Sequence, residues 1–109
     1  MPYNTHMEFI ETSLFTSLIY NYLSEDEYLG LQVNLLHHPE SGKIIRGSGG
    51  VRKIRWSIRD KGKSGGIRVI YYWKVREEEI WLLTVYAKSE QETIPGHILK
   101  HIAEEIKNV

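Results

Sequence analysis

Three apolar segments follow one another in the second half of the chain, joined only by short polar connections, and this succession restricts the fold more than any other feature. Val51–Ile58 alternates, with Ile54, Trp56 and Ile58 on one face and Lys53, Arg55 and Ser57 on the other, the period of a half-buried strand. Ile67–Val75 is β-branched and aromatic, and Ile80–Ala87 is again rich in apolar residues, the types that fit a pleated sheet. The connections, Arg59–Gly66 (RDKGKSGG) and Arg76–Glu79, are short loops, so the three strands are expected to pair as an antiparallel meander.

What flanks the meander is helical. Leu14, Phe15, Leu18, Ile19 and Tyr22 recur at helical spacing between Thr12 and Leu23, with Thr12 or Ser13 near the helix start. Ser24 and Glu27 form a capping box for a second helix striped by Tyr28, Leu31, Leu35 and Leu36 and stopped by Pro39 and Gly42. Ile94, Ile98, Ile102 and Ile106 repeat every four residues after Pro95, a closing helix expected to pack on the sheet through that stripe. Met7–Ile10 has strand character, and residues 1–6 read as an extension. The expected order is (β)ααβββα: an α+β domain in which two N-terminal helices pack on an antiparallel meander followed by a C-terminal helix. A chain of 109 residues is expected to make one such domain.

The formal net charge of zero conceals a sorting of charge along the chain. Residues 1–42 carry six acids and no Lys or Arg, residues 43–74 carry ten bases against Asp60 alone, and residues 75–109 carry seven acids against four bases. A basic block on a neutral protein points to a polyanion, because the local field rather than the net charge attracts it. The absence of cysteine excludes disulfides, thiolate nucleophiles and Cys-ligated zinc. No apolar run reaches the roughly 20 residues that span a bilayer, and the start MPYNTHMEFIE lacks signal-peptide character, so a cytoplasmic protein without membrane contact is expected.

Strand parity gathers the cations. Lys53, Arg55 and Arg68 fall on the polar parity of the first hairpin, Lys61 and Lys63 on its loop, and Lys88 at the end of the third strand. Tyr72 shares a parity with Arg68, and Tyr86 with Lys88; both tyrosines are placed on a concave working face. Such a face suits RNA, whose phosphates pair with Lys and Arg, whose unpaired bases stack on Tyr, and whose 2′-hydroxyl is its own nucleophile. Cations also stabilise the charge that develops on phosphorus during 2′-oxygen attack, so cleavage of this kind needs neither metal nor cofactor. Parity further places Trp56 with Ile54 and Ile58, Tyr71 and Trp73 with Ile67, Val69 and Val75, and Trp81 with Leu83 and Val85, all expected in the core. His97 and His101 have a metal-compatible spacing, but no HExxH frames them and the flanking isoleucines already explain the helix. The GSGG segment at Gly47–Gly50 lacks the surroundings of a P-loop.

The run GSGGVRKIRWSIRDKGKSGGIRVIYYW followed by LLTVYAKSE resembles the HigB-like branch of the RelE toxins, with the likeness extending from MEFIETSLF through YLSEDEY to the helix after Pro95. It implies a small α+β ribonuclease of a type II toxin–antitoxin pair that cuts mRNA on the ribosome, and a cognate antitoxin, often of helix-turn-helix type. Direct DNA binding by this chain is not expected. The family's paired basic positions match Lys53 and Arg55, its transition-state arginine matches Arg68, and its last basic position matches Lys88. Lys61 and Lys63 match a basic loop that grips RNA, and Arg52, Arg59 and Tyr72 are grouped with it as RNA contacts. Some RelE toxins carry a tyrosine beyond that last basic residue; the QETIP stretch here has none, leaving Tyr86, Glu90 or substrate alignment alone for proton removal. Two alternatives stay open: a ParE-like toxin acting on gyrase, and an RNA-binding module without catalysis.

Overall fold

A computed structural model describes residues 6–57, 66–89 and 94–109. Among these, eight elements follow in the order β1 (Glu8–Glu11), α1 (Ser13–Ile19), α2 (Glu25–His37), β2 (Lys43–Ile44), β3 (Arg52–Trp56), β4 (Ile67–Lys74), β5 (Glu79–Ala87) and α3 (Gly96–Lys107). The strands form one sheet in the order β1-β5-β4-β3-β2. The expected meander is its centre, antiparallel from β3 to β5. β1 joins parallel to β5, and the two-residue β2, too short to show any alternation, adds an antiparallel edge.

The helices begin where the caps require. Thr12 accepts from Phe15 N–H and donates its own hydroxyl to the Leu83 carbonyl at 2.8 Å, fixing α1 to β5. Both bonds of the Ser24–Glu27 capping box are formed, satisfying two of the N–H groups a helix start leaves open. α1 is shorter than the Thr12–Leu23 spacing predicts: beyond Ile19 the chain tightens into turns that bring Leu23 N–H to the Ile19 carbonyl, and Leu14 faces solvent.

The sheet separates two cores. One side packs Phe15, Ile19, Leu23, Tyr28, Leu31 and Leu35 from the α1–α2 layer on Ile54, Ile67, Val69, Tyr71, Ile80, Leu82 and Val85. The other packs Leu99, Ala103 and Ile106 of α3 on Ile70, Tyr72, Leu83 and Tyr86. The expected isoleucine stripe is thereby corrected, since Ile98 is exposed and Leu99 and Ala103 are buried instead. A four-residue step overshoots the helical turn by about 40°, so such a stripe drifts off any one face.

A β-bulge makes the second correction. Ile70 opposes Thr84 while Tyr71 opposes Leu82, so Leu83 is an extra residue in β5, and an extra residue reverses the alternation beyond it. Trp81 and Leu83 consequently belong to the α3 side and Val85 to the α1–α2 side, rather than all three sharing a face. Val75 lies beyond the end of β4 and is exposed.

The β2 edge is held by backbone contacts that only glycine permits. Tyr71 Oη donates to the Pro39 carbonyl at 2.7 Å and accepts from Gly42 N–H at 2.9 Å. A Cβ at position 42 would lie 2.8 Å from the Tyr71 ring, so a side chain there cannot coexist with this approach.

Candidate nucleic-acid interface

The strand registers bring the sequence-predicted cations together. Arg55 on β3 stands opposite Arg68 on β4, and Arg68 stands opposite Tyr86 on β5, so the three side chains occupy one row across the sheet at Cβ spacings of about 5 Å. Lys53 lies two residues before Arg55 on the same face and is paired with Lys43 of β2. This face is the α3 side, because Ile70 and Tyr72 alternate with core residues of the other side along β4. Lys88 follows β5 in an exposed turn, its N–H donating to the Gly66 carbonyl beside the start of β4. It therefore flanks the same end of the sheet as Arg68.

Two of these rows, Lys43–Lys53 and Arg55–Arg68, set like charges directly opposite each other, an arrangement that destabilises a sheet. The ion pairs His38–Glu40 and His101–Glu105 do not meet these four cations. Arg55 is exposed, Lys53 and Arg68 are half-buried, and the Arg68 guanidinium donates to the neighbouring Ile67 carbonyl at 3.4 Å. Among the described residues this field meets no compensating acid, and such a field suits an external polyanion.

The tyrosines are placed differently from the expectation of an open face. Tyr72 and Tyr86 do lie on the Arg68 side, but both rings are only 8% exposed beneath α3. Tyr72 is consequently core, and burial pushes its hydroxyl pKa up, with Glu77 adding to the shift. Burial also raises the Tyr86 pKa, while the Arg68 charge beside it pulls the other way. With the net shift upward, Tyr86 is a neutral phenol at neutral pH, suited to donate a hydrogen bond rather than to remove a proton.

Arg52 turns to the opposite side of the sheet. Paired with Tyr71, it donates to the carbonyls of Glu40 and Gly42 at 3.0 and 2.8 Å, a clasp on the approach to β2 that leaves it outside the cationic rows. Arg59, Lys61, Lys63 and Glu90 lie outside the described residues. His97 and His101 are exposed on α3, where His101 meets Glu105 at 3.4 Å. Lys43 was missed as a site residue because a two-residue strand leaves no pattern, and its partner is known only from the register.

No family model matches the chain. Among solved structures, the fold is similar to that of the E. coli toxin RelE, in a mutant form in the free state, with a TM-score of 0.53 and 18% identity over 94% of this chain and 97% of that one. The architecture is thus RelE-like. Among the described residues no helix is long and apolar enough to cross a membrane.

Proposed function

We propose that this chain is the toxin of a type II toxin–antitoxin pair, a metal-independent endoribonuclease that cuts mRNA on the ribosome. The observation that carries the reading is the Arg55–Arg68–Tyr86 row beside the like-charged Lys43–Lys53 pair, set on a RelE-like fold. In this reading the 2′-oxygen attacks the adjacent phosphorus, the bond to the 5′-oxygen breaks, and a cyclic phosphate and a 5′-hydroxyl result. Arg68, central in the row, meets the charge that grows on the non-bridging oxygens, where fixed cations are most effective. Lys53 and Arg55 hold the scissile phosphate, Tyr86 donates from its neutral hydroxyl, and Lys88 offsets charge on the departing oxygen. The 2′-proton passes to solvent or to a group of the ribosome, its loss eased by substrate alignment, since the raised Tyr86 pKa disfavours a phenolate, and solvent protonates the departing 5′-oxygen. The resemblance to HigB-like toxins adds a cognate antitoxin as partner.

The test is 5′-end mapping of messages after brief expression, with Arg68→Ala as control. New ends inside translated frames that vanish in Arg68→Ala support the reading. Intact messages with impaired gyrase supercoiling would transfer the chain to the ParE-like class, and unchanged ends in Arg68→Ala would remove Arg68 from the chemistry.

A further inference from the structure

The second site candidate lies around the edge of β3. β2 pairs only as far as Lys53, so among the described residues β3 beyond it has no strand partner, and the first turns of α2 lie beside this edge. Between them is a cleft of about 900 Å³ whose described walls include Asp26 and Gly30 of α2 and Arg55, Trp56 and Ser57 at the end of β3. That volume lies within the range of small-ligand sites. Resting on the RNA-cleaving reading above, we propose that this cleft is a nucleobase subsite that stacks a base on Trp56, reads it with Asp26 as guanine, and thereby sets the sequence preference of cleavage.

Three observations converge on this. The first is Gly30, in the interior of α2, where glycine costs helix stability. Its φ is not left-handed, and a Cβ there would find Trp56 Cζ2 at 3.9 Å, an ordinary contact. Packing does not require glycine, and what its missing side chain does is leave the approach to the Trp56 ring open. The second is Asp26. Ser24 and Glu27 already satisfy each other's backbone N–H groups, and Asp26 complements the positive helix end through its charge, which requires no fixed hydrogen bond. Its carboxylate is exposed and, among the described residues, makes no hydrogen bond or ion pair. The third is Arg55, which both lines the cleft and stands in the row with Arg68 and Tyr86. Trp56 and Arg55 face opposite sides of β3, so a base on Trp56 reaches the row around the open strand edge, with Arg55 as the residue that joins the two.

The donor set selects the base. A carboxylate has two acceptor oxygens and no donor. Guanine alone presents two adjacent N–H groups, at N1 and N2, whereas adenine and cytosine place an acceptor nitrogen beside their amino group and uracil flanks one N–H with carbonyls. A bidentate base contact of this kind discriminates by about tenfold or more.

The experiment is an NMR titration of the Trp56 indole N–H with guanosine 3′-monophosphate and adenosine 3′-monophosphate. Half-saturation by the guanosine nucleotide is expected at about tenfold lower concentration, with the preference lost in Asp26→Asn. Gly30→Leu, a better helix former whose side chain narrows the cleft, should raise the melting temperature and weaken both nucleotides. Equal half-saturation, an unmoved Trp56 signal, or a preference that survives Asp26→Asn would overturn the subsite. Arg68-dependent message ends decide the ribonuclease reading separately: ends without guanine selectivity refute the subsite alone, and guanine selectivity without ends refutes the ribonuclease alone.

Discussion

Arg55 provides a test in which stability and binding move in opposite directions. Its partner across the sheet is Arg68, with no acid paired to either among the described residues. Arg55 is exposed, so a water-like dielectric applies. Two unit charges about 6 Å apart then repel by roughly 0.7 kcal/mol before salt screening, consistent with about 0.2–1 kcal/mol for like charges opposite each other in a sheet. Replacing Arg55 by Thr removes this repulsion, loses little packing because the side chain is exposed, and introduces a residue favoured in strands. The variant should be more stable by about 0.5 kcal/mol, a rise in Tm of roughly 2–4 °C for a domain of this size. Single-stranded RNA should bind it more weakly, with the slope of log K against log salt shallower by about 0.7, the increment for one lost phosphate contact. Calorimetry at 20 and 200 mM NaCl gives an internal check: salt should stabilise the parent more than the variant, because the Debye length shrinks from about 20 Å to about 7 Å, close to the separation of the two charges. An Arg55→Thr protein that is less stable and binds RNA with an unchanged slope would refute the assignment of these cations to an external polyanion.

Two further perturbations examine the supports of the site. Arg52→Met should cost about 1–2 kcal/mol in chemical denaturation, through loss of the donors to the Glu40 and Gly42 carbonyls, while leaving the RNA salt slope unchanged; a shallower slope would return Arg52 to the RNA-contacting set. Burial, together with the 2.6 Å hydrogen bond to Glu11, raises the Tyr28 hydroxyl far above its ordinary pKa. Its contribution is therefore complete below about pH 10, the unfolded value, and declines above it as the unfolded chain releases its proton first. Denaturation midpoints between pH 8 and 11 should fall at the alkaline end and fall less in Tyr28→Phe; parallel curves would show that Tyr28 is not the group responsible.

The sequence carried the parts of this architecture that depend on neighbours along the chain. Lys53 and Arg55 share a face by strand period, Arg68 shares one with Tyr72, and Ser24 and Glu27 cap α2 through a local motif. Contacts that depend on a second segment were hidden. The pairing of Lys43 with Lys53 requires the register, and the extra residue at Leu83 reverses the parity of β5, so Trp81 and Val85 part company. Tyr72 and Tyr86 were placed on the correct side of the sheet, but parity contains no information about α3 lying over them. The cleft beside Trp56 is similarly a product of helix position, since Asp26 and Gly30 meet the end of β3 from about 30 residues earlier in the chain.

The sorted charges acquire a direction once folded. The acids of residues 1–42, among them Glu25, Asp26 and Glu27, belong to β1, α1, α2 and their connections, on whose side of the sheet Arg52 turns inward to backbone carbonyls. Lys43, Lys53, Arg55 and Arg68 line the other side. α3, which shares that side, carries Lys100 and Lys107 against Glu104 and Glu105, so it adds no net formal charge. The neutral chain is thus polarised across its sheet, and the field that suits a polyanion is concentrated at the row of arginines. Because the field decays over about 8–10 Å at physiological salt, its effect is local: in the proposed reading it sets the face on which RNA lands and contributes little to non-specific association elsewhere. An isoelectric point near 7.0 and a working nucleic-acid face are therefore compatible, since binding depends on where the cations stand rather than on how many remain after subtraction.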